Sequence, residues 1–146
     1  MKMETKSRSF NSITLPNYDF TLNAPEFKKE GEEFTIWFFE GILERNPNYI
    51  DCLMYLANTY TAQGMYEKGL LTDQKLCRLK PESPLVHYNL ACSYALLKNI
   101  NAAFEALERA IMLGYKDIYH LERDEDLAHL RGDVRYQKLI EKLKFS

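Results

Sequence analysis

The sequence is poor in the residues that shape loops and cross-link small folds, with 6 Gly, 5 Pro, 3 Cys and 1 Trp among 146 residues. So little glycine and proline argues against a loop-rich or fibrous protein. The cysteines, Cys52, Cys77 and Cys92, are odd in number and form no C-x-x-C pair, which argues against a disulfide framework or a zinc site. We expect them to be small core residues in a reducing compartment.

An excess of one charge is also missing, since 19 Lys and Arg stand against 21 Asp and Glu, a net charge of -2. A dedicated nucleic-acid or membrane-surface binder should carry a basic excess, so we expect no nucleic-acid partner. No apolar run reaches the roughly 18 residues that membrane insertion needs. The first residues lack the apolar stretch of a signal peptide, and we therefore expect a cytoplasmic protein.

Motifs that bind phosphates, metals or cofactors are absent from the sequence. No G-x-G-x-x-G or G-x-x-x-x-G-K occurs, and His87, His120 and His129 form no H-E-x-x-H pair. The acidic run 124–126 lacks the alternation and the glycine of a calcium loop and indicates a turn that caps a helix. His120 and Asp124 could pair as base and carboxylate, but such pairs commonly arise by chance. We therefore predict no enzyme activity, no bound metal and no cofactor.

The chain does contain enough apolar material for a core, being 46% hydrophobic with 10 Tyr and 8 Phe. This composition excludes a wholly disordered chain. Residues 1–24 show no sustained helical period and are predicted to be an irregular extension, whereas Pro25 suits the first turn of a helix. We predict helices near 25–45, 50–63, 66–79, 84–97 and 100–113, short elements at 118–123 and 124–132, and a last helix at 134–143 capped by Asp133.

The chain repeats itself at a spacing of about 34 residues. Residues 53–60 read L-x-x-L-A-x-x-Y and residues 87–94 read H-x-x-L-A-x-x-Y. These offsets of three and four place the recurring side chains on one helical face. Small residues suit close helix crossings, and proline ends each unit because it cannot continue a helix. The other recurring pairs are Gly64 and Lys98, Gly69 and Ala103, and Pro47 and Pro81.

This spacing resembles the tetratricopeptide repeat family, over repeats at about 50–83 and 84–117 that follow a partial unit ending at Pro47. The resemblance implies an all-α right-handed superhelix of antiparallel helix pairs, a TPR-like α-solenoid, in residues 25–146. Leu53 and His87 stand where the family has Trp, and Asp73 replaces a usual aromatic. Residues 118–146 resemble the closing segment of many bacterial members and predict a cap over the last repeat.

The resemblance also implies that the first helix of each repeat lines a concave face that binds a partner. Tyr would supply contact area there, and Asn would pair with a peptide amide. Asn58, Asn89 and Arg123 match positions with which some members hold a peptide carboxylate, although Met54 and Tyr119 replace two further cations. The predicted partner-binding residues are Met54, Tyr55, Asn58, Tyr88, Asn89, Cys92 and Arg123.

Two kinds of function remain open from the sequence. The first is a non-catalytic protein–protein interaction module, an adaptor or scaffold that binds a peptide or partner segment on its concave face. The second is a self-associating or permanent subunit of an assembly, a possible homo-oligomer, whose groove is filled by its own residues 1–24 or by a second copy. The sequence does not identify the partner.

Overall fold

A computed structural model describes the backbone of residues 25–146 and the side chains from Lys29 onward. Within this range the chain forms seven α-helices, one 3₁₀-helix and no strand, as the predicted all-α fold requires. None of these helices has the length and apolarity needed to cross a bilayer. The predicted extension at 1–24 lies outside the described residues. The helices are α1 (Pro25–Arg45), α2 (Ile50–Ala62), α3 (Tyr66–Leu79), α4 (Pro84–Leu96), α5 (Ile100–Met112), α6 (Ile118–Arg123), the 3₁₀-helix (Glu125–Leu130) and α7 (Val134–Lys144).

Helices α2 and α3 form the first predicted repeat, and α4 and α5 form the second. In both repeats the turn between the two helices contains one residue with left-handed backbone, Gly64 at φ 76° and Lys98 at φ 60°. A lysine seldom adopts this region, whereas glycine does so without steric cost. Asn99, which could have taken this role, has φ -83° instead. The repeat spacing therefore fixes the backbone of the turn even where the residue type changes.

Small residues lie at the helix crossings, as the repeat predicts. A Cβ added to Gly69 would lie 2.9 Å from Thr61 Oγ1, so α2 and α3 approach too closely for a larger side chain. Ala91 and Ala103 are fully buried between α4 and α5. Protein interiors are close-packed, so these crossings do not accept added side-chain volume without strain.

Two tyrosines make the same kind of contact one repeat apart. The Tyr60 hydroxyl donates to Glu40 Oε1 over 2.5 Å, and Gln74 Nε2 donates to the Tyr94 hydroxyl over 3.0 Å. In each case a tyrosine of a first helix binds a polar residue on the second helix of the preceding unit. Burial, followed by the bond to Glu40, raises the pKa of Tyr60. These bonds tie successive units to one another.

Asp73 departs from the family pattern and is almost fully buried on α3. Its Oδ2 accepts a hydrogen bond of 2.5 Å from Ser93 Oγ on α4. A buried hydrogen bond therefore joins the two repeats where an aromatic ring would otherwise pack.

The C-terminal segment covers the apolar face that the last repeat would expose to water. Leu121, Leu127 and Leu130 are fully buried against α4 and α5, and one side of α7 completes the same core. Aspartates begin the short elements: Asp117, Asp124 and Asp133 accept bonds from the backbone N–H groups of His120, Asp126 and Arg135. The structure thus contains a terminal cap; its resemblance to bacterial closing segments stays a prediction.

Candidate partner-binding site

Helix α2 provides three of the predicted partner-binding residues. Met54, Tyr55 and Asn58 are all half-buried. The Tyr55 ring stacks on Phe39 of α1, with centroids 4.5 Å apart, and burial is the main cause that raises the pKa of its hydroxyl. Met54 packs beside the buried cluster that includes Leu76. Tyr55 is therefore held in one orientation by its neighbour while part of its surface stays open to a partner.

Asn89 on α4 is 4% exposed. Its Oδ1 is buried and accepts no hydrogen bond from the part of the chain that the structure describes. A buried acceptor without a donor costs about 1–3 kcal/mol, so such groups are uncommon and call for an explanation. A ligand amide would remove that cost only if the side chains around this oxygen moved aside to expose it.

Tyr88 and Cys92, predicted to touch a partner, are instead fully buried beneath the cap. The Tyr88 hydroxyl donates to Asp124 Oδ2 over 2.7 Å, and its ring stacks on Tyr115 at a centroid distance of 4.3 Å. Cys92 Sγ lies 3.6 Å from the same carboxylate oxygen. Residues of the cap therefore cover this part of α4, and we leave both residues out of the proposed binding surface.

Arg123 ends α6 and is exposed. Its guanidinium lies 3.6 Å from the centre of the Tyr119 ring, and its Nη1 donates to the Tyr119 carbonyl over 3.2 Å. Exposed Glu122, which pairs with Lys144 over 3.1 Å, and exposed Glu125 stand close by in the sequence. The predicted cation is thus present at the surface, stacked on its own helix between acidic side chains.

Asp124 is the centre of the polar cluster under the cap. Besides Tyr88, its Oδ2 has His120 Nε2 at 3.2 Å, which forms the base–carboxylate pair considered from the sequence. The ligand atoms of Cys92, Asp124 and Asp126 lie within 4.8 Å of one another, a spacing that a metal ion could use. Both oxygens of Asp124 already accept hydrogen bonds from the protein. We therefore assign this cluster to docking of the cap.

A second pair of side chains of the kinds that enzymes use in catalysis is Cys77 and His87. Their Sγ and Nδ1 atoms lie 3.8 Å apart. Burial, followed by the charge of Asp73, raises the pKa of the Cys77 thiol to about 11. Only the thiolate is a strong nucleophile, so this thiol is unreactive near neutral pH. The geometry supports a structural role for both side chains.

Comparison with known proteins gives partial matches, and no protein-family model matches the chain. A chloroplastic protein of Arabidopsis thaliana is 32% identical over 84 residues, 56% of this chain and 25% of that protein. A peroxisomal targeting signal receptor of Candida albicans is 33% identical over 88 residues, 60% of this chain and 15% of the receptor. TPR repeat-containing protein MJ1428 of Methanocaldococcus jannaschii is 28% identical over 100 residues, 68% of this chain and 16% of that protein. The chain thus spans a quarter or less of the length of these relatives.

The crystal structure of MamA has a similar fold, with a TM-score of 0.58 at 23% identity over 80% of this chain and 71% of that chain. At this identity the likeness concerns the fold alone. The repeat spacing, the paired helices with their recurring turns and the similarity to a TPR repeat-containing protein agree with one another. The chain belongs to the tetratricopeptide repeat family.

Proposed function

We propose that the chain is a non-catalytic protein–protein interaction module that binds an extended peptide segment on its concave face. One relative is named a peroxisomal targeting signal receptor, which supports recognition of a protein segment by repeats of this kind. The observation that carries the proposal is the buried Oδ1 of Asn89, which lacks a donor among the described residues and which peptide binding would have to expose. A peptide N–H group is the donor that such an oxygen fits.

The first helices of the successive units carry both amide and apolar groups. Tyr55 and Asn58 are half-buried on α2, Leu85 is 48% exposed on α4, and Tyr119 is 70% exposed on α6. All of these helices are the first of their units. An extended peptide needs donors and acceptors for its backbone and apolar contacts for alternate side chains, and these helices carry both.

Charge favours an internal peptide segment over a terminal carboxylate. Arg123 is the one cation among the predicted residues, and it is stacked on Tyr119. Glu125, two residues away and exposed, would repel an anionic chain end. Strong carboxylate binding depends on several charge-assisted hydrogen bonds, which one occupied arginine does not supply.

The proposal is tested with peptides selected from a random phage-displayed library on the full chain. Replacing both amides, Asn58→Ala with Asn89→Ala, should weaken the selected peptides about tenfold, because a peptide N–H loses its buried acceptor. The matched control replaces exposed turn residues, Asn46→Ala with Asn48→Ala, and should leave affinity unchanged. Circular dichroism would establish that both variants stay folded. Equal affinity of the two double variants would place the peptide elsewhere on the molecule.

A second comparison separates an internal segment from a chain end. The selected peptides are made with a free and with an amidated C-terminus, and each is measured against the wild type and Arg123→Ala. An internal segment should bind equally well in both forms and lose little with Arg123→Ala. Strong dependence on the free carboxylate and on Arg123 would contradict our reading of the charges.

A further inference from the structure

Helix α1 exposes three aromatic rings on the side that faces away from α2. Phe34 is 61% exposed, Trp37 68% and Phe38 45%, and the rings of Phe34 and Trp37 lie 5.7 Å apart. Trp37 and Phe38 also line a surface groove of about 320 Å³ that runs on past Gly41. Scattered apolar residues on a surface are ordinary, but three adjacent large rings indicate an interaction surface.

The same side of α1 is acidic. Between Lys29 and Arg45 the helix carries five glutamates against these two cations, and Arg45 lines the same groove as Trp37. Glu32 and Glu40 are bonded to Gln63 and to Lys68. The other three, Glu30, Glu33 and Glu44, are exposed, and helical spacing places them on the side of Trp37.

A basic groove lies at the other end of the array, between α5 and α7. Its volume is about 290 Å³, and its apolar wall includes Met112, which is 71% exposed, and Leu139. Lys138 and Lys142 stand one turn apart on α7 and line the groove together with Arg135, against a single acidic residue, Glu108. Within residues 29–146 neither lysine forms an ion pair, whereas Arg135 beside them is held by Asp133 over 2.7 Å.

The two surfaces are complementary in charge and similar in character. Each has an apolar centre beside charges of one dominant sign, negative on α1 and positive on α7. Pairing two α1 faces would bring Glu30, Glu33 and Glu44 of both copies together, and like charges across an interface are unfavourable. Pairing α1 with the groove puts these glutamates near Lys138 and Lys142 and covers the exposed rings.

We propose that α1 of one copy docks into the α5–α7 groove of a second copy, head to tail. This association goes beyond the proposed peptide binding, because it uses the two ends of the array and leaves the concave face open. A head-to-tail contact between different surfaces adds further copies until a ring closes, and otherwise forms a filament.

The first test follows the mass of the full chain by sedimentation velocity across a wide concentration series. Mass should rise with concentration and fall again at high salt, because part of the attraction is between exposed charges. Trp37 is the single tryptophan, so its fluorescence reports directly on this face and should shift to shorter wavelength as copies associate. A monomer at every concentration would overturn the proposal, including the case in which residues 1–24 cover the rings and Trp37 emits at short wavelength throughout.

The second test separates the two surfaces. Trp37→Glu damages the α1 face, and Lys138→Glu with Lys142→Glu damages the groove. Each variant alone should be monomeric, and an equimolar mixture should form one-to-one dimers, because each partner keeps the surface that the other has lost. The charge control, Lys80→Glu with Lys98→Glu in exposed turns, should associate like the wild type. Association of the groove variant with itself, or a mixture that stays monomeric, would overturn the proposal.

Discussion

The Tyr88 hydroxyl lies 2.7 Å from Asp124 Oδ2 and joins the first helix of the second repeat to the cap. Tyr88 is fully buried, and burial is the main cause that raises its pKa, so the hydroxyl remains a neutral donor. Asp124 also begins the 3₁₀-helix by accepting a bond from the Asp126 N–H. One side chain therefore both starts the cap and fastens it to the repeats.

Replacing Tyr88 with Phe should lower the free energy of unfolding by about 1–3 kcal/mol, because a carboxylate oxygen that is largely shielded from water loses one of its donors. Urea unfolding followed by circular dichroism measures the change. Tyr119→Phe, at a position that is 70% exposed, is the control and should have little effect. Equal stability of the two variants would show that Asp124 does not depend on this bond.

The close crossing at Gly69 gives a prediction about packing. Gly69→Leu should lower the free energy of unfolding by about 1–3 kcal/mol, because the new side chain would meet Thr61. Gly31→Leu is the matched control, since it lies inside a helix with no atom within 4 Å of an added Cβ. Both changes gain helix propensity, but only Gly69→Leu should lower the melting temperature. If both variants melt at or above the wild-type temperature, the crossing is looser than described.

The start of α7 gives a prediction about pH. Bonds from Arg135 lower the pKa of Asp133 from 3.8 to about 2 in the folded chain. Asp133 therefore binds a proton at higher pH in the unfolded chain than in the folded chain. The stability that ionised Asp133 gives the folded chain is present above about pH 4 and is lost as the pH falls through 2. Asp133→Asn keeps a capping side chain but lacks this titration.

We expect the melting temperature of Asp133→Asn to lie below that of the wild type at pH 6, and the two to converge near pH 2. Glu105→Gln, at an exposed position, should show no such convergence. A wild-type advantage that persists unchanged at pH 2 would contradict a role for the Asp133 charge.

Replacing Asn89 should change peptide affinity and folding stability in opposite directions. Asn89→Leu replaces an unpaired buried oxygen with an apolar group of similar size and should raise the free energy of unfolding by about 1 kcal/mol. The same variant should bind the selected peptides less tightly than the wild type. Chemical denaturation and peptide titration measure the two effects separately. A large loss of stability would mean that the amide serves the fold rather than a ligand.

Much of the fold could be predicted because its signals are local. The predicted ends of α2 to α5 agree with the structure to within one residue, since Pro47, Gly64 and Pro81 mark turns through their own backbone preferences. The tyrosine contacts could also have been found. Glu40 and Gln74 are spaced like Tyr60 and Tyr94, so the polar partner recurs together with the ring.

The site could be predicted less well because it depends on distant parts of the chain. Tyr88 and Cys92 occupy positions that face the groove in the family pattern. They are covered because the chain after Tyr115 leaves the repeat spacing and folds back over α4. That path is set by the packing of Leu121 and Leu127, and their place in the core is visible only once the whole array is assembled.

The distribution of buried residues along the array is uneven. Sixteen buried residues of α4 to α7 form one cluster, whereas those near α1 to α3 divide into clusters of four and three among the described residues. In a repeat protein each unit is stabilised mainly by its neighbours, so local opening begins where the shared core is thinnest. Amide hydrogens of α1 and α2 should therefore exchange with solvent sooner than those of α4 and α5, and the chain opens from its N-terminal end while its C-terminal half stays closed.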